Sequence, residues 1–250
     1  MKKLGLILVA MFLLSAFVWG QNIIYLTSVE WPPYTSQQLP EMGASVAVAK
    51  AAFSVMGYEL RVDFYPWQRA VKLAKEDTKY SGYFPEYYAK EIEENFIFST
   101  PMGHGPLGFV EKKGNPIVWN TMQDLTKYTI GVVQGYVNTE EFDAMVAEGK
   151  IKTDGANSDI INMKKVGAGR MDMAVIDQFL MDYYMKFESD LKDYKDKLQF
   201  NKKILEDKNL YICFKKGPKG ENLTKIFNEG VSKINVDRVM EDYFKKVLEK

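Results

Sequence analysis

Short predicted strands and helices alternate through the first half of this chain, and the alternation then starts again. The predicted strands lie at residues 22–28, 60–65, 80–84, 129–133 and 173–176. The helix between the first two strands carries an apolar stripe formed by Met42, Val46, Ala49, Phe53 and Met56. Two successive βαβ sets predict an α/β fold of two lobes, each with a mostly parallel sheet flanked by helices. A cleft between two lobes is a natural small-molecule site.

The stretch at residues 167–177 is predicted to contribute a residue to the ligand-binding site. Two glycines, Gly167 and Gly169, lead into an apolar run at 173–176 that stops on a carboxylate, Asp177. In open α/β sheets the ligand crevice lies beyond the carboxyl ends of the strands, so Asp177 is predicted to face a cleft. Asp is also a preferred N-cap, so Asp177 could instead cap the helix that follows it, and the two roles can coexist.

The amino terminus has the layout of a secretory signal. Met1, Lys2 and Lys3 precede an almost wholly apolar run at residues 4–18. This pattern predicts a signal peptide over residues 1–20, cleaved before Gln21, and a periplasmic mature protein. The alternative is an uncleaved anchor, but a spanning helix wants about 20 apolar residues and this run is shorter. No cysteine stands at the cleavage point to carry a lipid.

The charge balance limits the class of partner that the chain is expected to bind, and the surroundings of the single cysteine indicate its role. Without Lys2 and Lys3, the 33 basic residues become 31 against 33 acidic ones, so the mature chain is nearly neutral. Such a balance gives no reason to expect nucleic acid or anionic lipid as a partner. The single cysteine, Cys213, lies in an apolar run and is expected to be a core residue.

Four short segments, taken in order, carry a resemblance to a known family. Residues 29–34, 96–101, 130–135 and 167–172 resemble the bacterial extracellular solute-binding protein family 3, the soluble receptors that deliver polar amino acids to ABC importers. The resemblance covers essentially the whole mature chain. It implies a two-lobe type II periplasmic binding protein fold, a membrane ABC permease as partner and a receptor that can work as a monomer.

The resemblance also implies where the lobes divide and which residues meet the ligand. Two crossing strands are expected near 107–111 and 210–214, with lobe 1 at 21–108 and 212–250 and lobe 2 at 109–211. Asp177 matches the position that holds the ligand ammonium, and Trp31, on the other lobe, is expected to border the same gap. The candidate ligand-binding set comprises Glu30, Trp31, Trp67, Arg69, Tyr83, Glu86, Tyr87, Gln134, Tyr136, Asn138 and Asp177.

Two departures from the family pattern bear on the ligand. Ile92 stands where amino-acid receptors carry an arginine that clamps the ligand carboxylate, and Val137 stands where they have a hydroxyl residue. A carboxylate buried without such partners would cost several kcal/mol. Arg69, at the start of a helix, is the candidate replacement, since arginine suits bidentate carboxylate binding. Without Arg69, the tyrosines and acids would form a pocket for a cation that has no carboxylate.

Common catalytic motifs bear on whether the chain could be an enzyme instead of a receptor. The sequence has no Gly-x-Ser-x-Gly elbow, no His-Glu-x-x-His pair and no phosphate loop, and its only histidine is His104. We therefore expect that the protein is not an enzyme and that it has no catalytic residues, metal or cofactor. Since the two-lobe fold also hosts dehydratases, an extracytoplasmic lyase is the catalytic alternative. A third hypothesis is a ligand-sensing module for a membrane signalling partner.

Overall fold

The computed structural model describes residues 22–248, which form two sheets covered by helices. The signal peptide predicted at residues 1–20, with its cleavage point before Gln21, lies outside the described residues. Between residues 22 and 248 no helix is both long and apolar enough to cross a bilayer. The two-lobed α/β fold class predicted from the sequence is confirmed.

The elements follow one another as the alternating pattern predicts. In chain order the strands are β1 (Asn22–Ser28), β2 (Tyr58–Phe64), β3 (Gly82–Glu86), β4 (Phe96–Phe98), β5 (His104–Lys112), β6 (Thr129–Val133), β7 (Lys152–Ala156), β8 (Met173–Asp177), β9 (Leu198–Phe200), β10 (Glu206–Asn209) and β11 (Tyr211–Lys215). The helices are α1 (Ala44–Ser54), α2 (Trp67–Glu76), α3 (Glu140–Ala147), α4 (Asp159–Gly167), α5 (Gln178–Phe187), α6 (Pro218–Ser232) and α7 (Val236–Leu248).

The first sheet has the strand order β2-β1-β3-β11-β4. β1 pairs in parallel with β2 and β3, whereas β11 pairs antiparallel with β3 and β4. Helices α1, α2 and α6 pack on this sheet, and α7 packs on α1. The carboxyl-terminal part of the chain therefore returns to the half that the amino-terminal part began.

The second sheet has the strand order β10-β5-β8-β6-β7, with β9 also paired to β5. β6 is parallel to β7 and β8, and β5 is antiparallel to β8, β9 and β10. Each sheet is thus mixed, because the strand entering from the other half, β5 or β11, runs against its neighbours. The remaining strands of each sheet share one direction, so the sheets are mostly parallel, as the sequence predicted.

Two short segments link the sheets and hydrogen-bond to each other. The Met102 N–H donates to the Leu210 carbonyl, and the Leu210 N–H donates to the Gly103 carbonyl, each at 2.8 Å. β5 and β11 each lie wholly in one sheet, so the chain passes between sheets at residues 100–103 and 210, just before the strands expected to cross. The division of the lobes at residues 108 and 211 stays a prediction.

Candidate ligand-binding cleft

The space between the two sheets is lined from both sides. The first sheet contributes Val29, Trp31, Glu86 and Tyr87, which lie at or just beyond the ends of β1 and β3; the second contributes Tyr136, Val137 and Asp177. Two adjoining cavities, of about 30 and 20 Å³, share four of these residues. Each has room for roughly one water molecule, far below the ~300 Å³ of a small-molecule site. The two halves are in contact, so a solute must part them to enter.

Direct contacts hold the two halves together. The Tyr34 hydroxyl donates to Asp177 Oδ2 at 3.0 Å, and Trp67 Nε1 donates to the Gly135 carbonyl at 2.9 Å. The Trp67 ring also meets the Tyr136 ring edge-on, with centroids 5.5 Å apart. Each contact joins a residue of the first half to one of the second. Opening the cleft would break all three.

Asp177 ends β8 and is 2% exposed. Its Oδ1 accepts a hydrogen bond from the Leu180 N–H at 3.0 Å, so it caps α5 while its Oδ2 binds Tyr34 across the cleft. The capping role and the cleft-facing position therefore coexist. Burial raises the pKa of this carboxyl to about 7, although the hydrogen bonds from Leu180 and Tyr34 work in the opposite direction.

Two further buried carboxyls line the cavities. Glu86 accepts hydrogen bonds from the Tyr83 hydroxyl at 3.0 Å and the Tyr87 N–H at 2.9 Å, and burial still raises its pKa to about 8. Asp159 begins α4, and burial raises its pKa to about 7. Within residues 22–248 no group of three or more potential metal ligands is found. A cation placed among these acids would favour their charged forms.

Aromatic rings form the rest of the wall. The Trp31 ring stacks on Tyr34 at 4.4 Å between centroids, and the Tyr87 ring meets it edge-on at 6.1 Å. The Tyr87 hydroxyl is buried and has no hydrogen-bond partner among the described residues. Burial raises the pKa of Tyr87, so the hydroxyl stays protonated and able to donate. Tyr87 lines both cavities, so a polar group of a bound solute could satisfy it.

Most of the candidate residues named from the sequence come together at these cavities, where their role in binding stays a prediction. The residues that line a cavity are Trp31, Trp67, Glu86, Tyr87, Tyr136, Asn138 and Asp177. Val137, one of the two departures from the family pattern, lines both cavities as well. The site is thus assembled from five segments that are far apart in sequence.

The other four candidates line neither cavity. Glu30 and Gln134 are exposed, the former accepting hydrogen bonds from Gln37. Arg69 is exposed on α2, with its guanidinium 5.0 Å from the centroid of the Tyr65 ring. Tyr83 is buried behind the cleft, where it orients Glu86. Helical position alone did not reveal that Arg69 points outward, because a helix presents only one of its faces to the cleft.

Three residues that line the cleft or contact its walls were missed in the sequence. Tyr34 lies in the Trp-Pro-Pro-Tyr segment that signalled a loop, but its bond to Asp177 joins residues 143 positions apart. Asp159 follows β7, and an acid after a strand is the same signal that singled out Asp177. Lys208 lies in a polar stretch without strand-like alternation, so nothing in the local pattern predicted that it would be buried.

Gly105 lets the Tyr34–Asp177 contact form against β5. A Cβ at this position would overlap both Tyr34 Oη and Asp177 Oδ2. We expect Gly105→Ala to destabilise the protein by ~1–3 kcal/mol, since overpacking a close contact costs that much. Thermal unfolding should show a Tm lower by about 2–12 °C.

The Gly105→Ala, Tyr34→Phe double variant is the matched control for this prediction. It removes the Tyr34 hydroxyl, one of the two groups that the new methyl group overlaps, so we expect Gly105→Ala to cost less stability in the Tyr34→Phe background than in the wild type. If Gly105→Ala unfolds at the wild-type Tm, the Tyr34–Asp177 contact accommodates the added methyl group without loss of stability, and the prediction is wrong.

Two mixed α/β sheets, two short linking segments and a cleft between the sheets define the type II periplasmic binding protein fold. A histidine kinase sensor domain with similarity to periplasmic binding proteins matches with a TM-score of 0.74 at 16% identity, over 91% of this chain and 96% of that one. The amino acid ABC transporter substrate-binding protein AbpA of Streptococcus pneumoniae Canada MDR_19A, bound to L-arginine, matches with a TM-score of 0.71 at 17% identity, over 92% and 97%.

Among curated proteins, the chain is similar to the arginine-binding extracellular protein ArtP of Bacillus subtilis (strain 168). The two are 26% identical over 232 residues, which cover 90% of this chain and 86% of that protein. No family model matches the chain. The resemblance to extracellular solute-binding proteins predicted from the sequence is confirmed by the curated relative and the shared fold.

Proposed function

We propose that this protein is an extracytoplasmic solute-binding receptor that closes its two halves over a small solute carrying a cationic group. The observation that carries the proposal is the cleft itself, in which three buried carboxyls and an aromatic wall lie between halves that touch. Glu86 comes from the first half, and Asp159 and Asp177 come from the second. A cation in the cleft would contact both halves at once.

The chemistry of the cleft favours a positive charge. An ionised carboxyl buried without a partner is costly, and each of these three is held largely away from water. A bound ammonium or guanidinium would supply charge-assisted hydrogen bonds to the carboxylates. The faces of Trp31 and Tyr87 would add cation–π attraction. An anionic solute would meet the same carboxyls with repulsion.

Closure follows from contacts that a solute makes only when both halves surround it. Binding then shifts an equilibrium between open and closed forms toward the closed form, by hinge motion at the two linking segments. In the proposed role the closed form delivers the solute to a membrane ABC importer, after export and signal-peptide cleavage near Gly20. The curated relative, an arginine-binding extracellular protein, supports an extracytoplasmic binding role and a cationic solute.

The lyase alternative finds no support at the single histidine of the sequence. His104 is half exposed, its Nδ1 lies 2.9 Å from Asp207 Oδ1, and it lines neither cavity. A base must come within hydrogen-bond reach of the proton that it removes, and His104 does not face the cleft. The receptor hypothesis therefore fits the cleft better than a histidine-dependent lyase.

A panel of small ligands tests the proposal. We expect L-arginine, L-lysine or their decarboxylated analogues to raise the Tm, and L-glutamate to leave it unchanged. A ligand present at 100 times its Kd stabilises the folded protein by ~2.7 kcal/mol, which thermal unfolding resolves easily. Titration calorimetry then gives the affinity. Equal binding of L-glutamate and L-arginine would contradict a cation-selective cleft.

A further inference from the structure

One buried side chain near the cleft has a charge opposite to the others. Lys208, on β10, is 6% exposed, and among residues 22–248 it is the single lysine or arginine classed as buried. Lysine is almost never buried unless it is paired. Its ion-pair partner, Glu206, is half exposed and lies 3.4 Å from the ammonium, beyond the distance of a good charge-assisted hydrogen bond.

The register of the sheet shows which way Lys208 faces. Lys208 is directly opposite Gly105 in the antiparallel β10–β5 pair, and opposed residues place their side chains on the same face. The Cβ position of Gly105 points at Tyr34 Oη and Asp177 Oδ2. Lys208 therefore extends on the face of the pair that carries the cleft. Leu210, two residues further along, lines the larger cavity.

Contacts of the ammonium agree with this direction. It lies 5.4 Å from the centroid of the Tyr87 ring, and Tyr87 lines both cavities. Burial raises the pKa of Glu86, and the charge of Lys208 offsets part of that rise. The ammonium thus stands beside two residues of the cleft, Glu86 and Tyr87, while its own ion pair with Glu206 is loose. A solute carboxylate could replace Glu206 as the partner of Lys208.

We propose that Lys208 is a specificity-determining residue that binds a carboxylate of the solute, which is then an amino acid with an additional cationic group. This inference rests on the proposed function and adds the second charge that the solute must carry. The three acids of the cleft meet the cationic groups, and the lysine meets the carboxylate. Because Lys208 lies next to Leu210, where the chain crosses between the sheets, the carboxylate would sit near the hinge.

A comparison of two ligand pairs tests the role of Lys208. Agmatine and cadaverine keep both cationic groups of L-arginine and L-lysine and lack only the carboxylate. For the wild-type protein we expect calorimetry to show at least tenfold weaker binding of the decarboxylated member of the pair that binds. In Lys208→Met we expect the amino acid to lose at least tenfold in affinity and the decarboxylated analogue to lose less than twofold. The preference of the wild-type protein for the amino acid over its decarboxylated analogue should therefore be largely lost in Lys208→Met.

Controls separate the two proposals. The exposed Lys202→Met should keep the wild-type preference, and Lys208→Gln serves if the methionine variant does not fold. Wild-type protein that binds agmatine as tightly as L-arginine, or Lys208→Met that keeps the full preference, would overturn the role of Lys208 and leave the receptor in place. Binding of none of the four compounds would overturn the proposed function, and this inference with it.

Discussion

Asp177→Asn is expected to weaken binding of a cationic solute by roughly tenfold to 150-fold. A hydrogen bond to a charged group contributes ~1.5–3 kcal/mol, and the variant replaces the carboxylate by a neutral amide. The rest of the site should stay in place. Asn is as good an N-cap as Asp, so the bond from the Leu180 N–H to Oδ1 can persist, and the amide nitrogen that replaces Oδ2 can donate to the Tyr34 hydroxyl oxygen. Titration calorimetry with the ligand identified in the panel measures the loss.

The unfolding temperature shows whether the loss is local. Without ligand, Asp177→Asn should be at least as stable as the wild type, because it removes a buried carboxyl whose ionisation burial opposes. Asp177→Ala should be less stable, since losing a cap costs ~1 kcal/mol. Asp193→Asn, at an exposed position, is the matched control and should bind normally. Unchanged affinity in Asp177→Asn would remove Asp177 from the site.

Affinity for a cation is expected to fall about tenfold or more as the pH drops from 8 to 6. Burial raises the pKa of Asp177 and Asp159 to about 7 and that of Glu86 to about 8. A bound cation favours the ionised carboxylate, so binding must lower these pKa values and release protons. Below pH 7 the carboxyls hold their protons in the free protein, and ionising each of them subtracts from the binding free energy.

Calorimetry in buffers of different ionisation enthalpy would count the protons released. Asp177→Asn should release fewer protons and show a shallower pH dependence than the wild type. A pH-independent affinity with no proton release would contradict the assignment of these carboxyls to the cation.

The same carboxyls link stability to pH in a direction that can be checked without a ligand. Their folded-state pKa values lie above the values of about 3.9 and 4.3 expected for unfolded Asp and Glu. The folded state therefore binds more protons than the unfolded state between about pH 4 and pH 8. The stability contributed by these groups is fully present below pH 4 and is lost as the pH rises through 7 to 8.

Local pattern predicted the elements where the pattern was strong. The apolar stripe from Val46 to Phe53 became α1, and the apolar run before Asp177 became β8. Local pattern did not predict the strands at the edges of the second sheet, because pairing with a single neighbouring strand is enough to form a strand there. β7 (Lys152–Ala156) is an edge strand whose sequence contains Asp and Gly, which are depleted in strands. β10 reads Glu-Asp-Lys-Asn, and its pairing with β5 holds it in the sheet.

The position of the cleft residues was foreseen for some side chains and not for others. Trp31 and Asp177 line the same small cavity, and both follow strands whose ends a sequence can reveal. Arg69 was the candidate for binding a carboxylate, but it is exposed beside Tyr65. The buried cation is Lys208, in a segment with no apolar pattern to mark it. A charged residue shows its burial only through its neighbours, and these are set by tertiary contacts.

The alternation of strands and helices, the two-lobed class and the carboxylate at the end of β8 could be predicted because they depend on residues within a few positions of one another. Tertiary contacts bring Glu86, Asp159 and Asp177 to the walls of the cleft, place Lys208 beside it and leave Arg69 exposed. Distances among these charges depend on how two sheets face each other and how far they close.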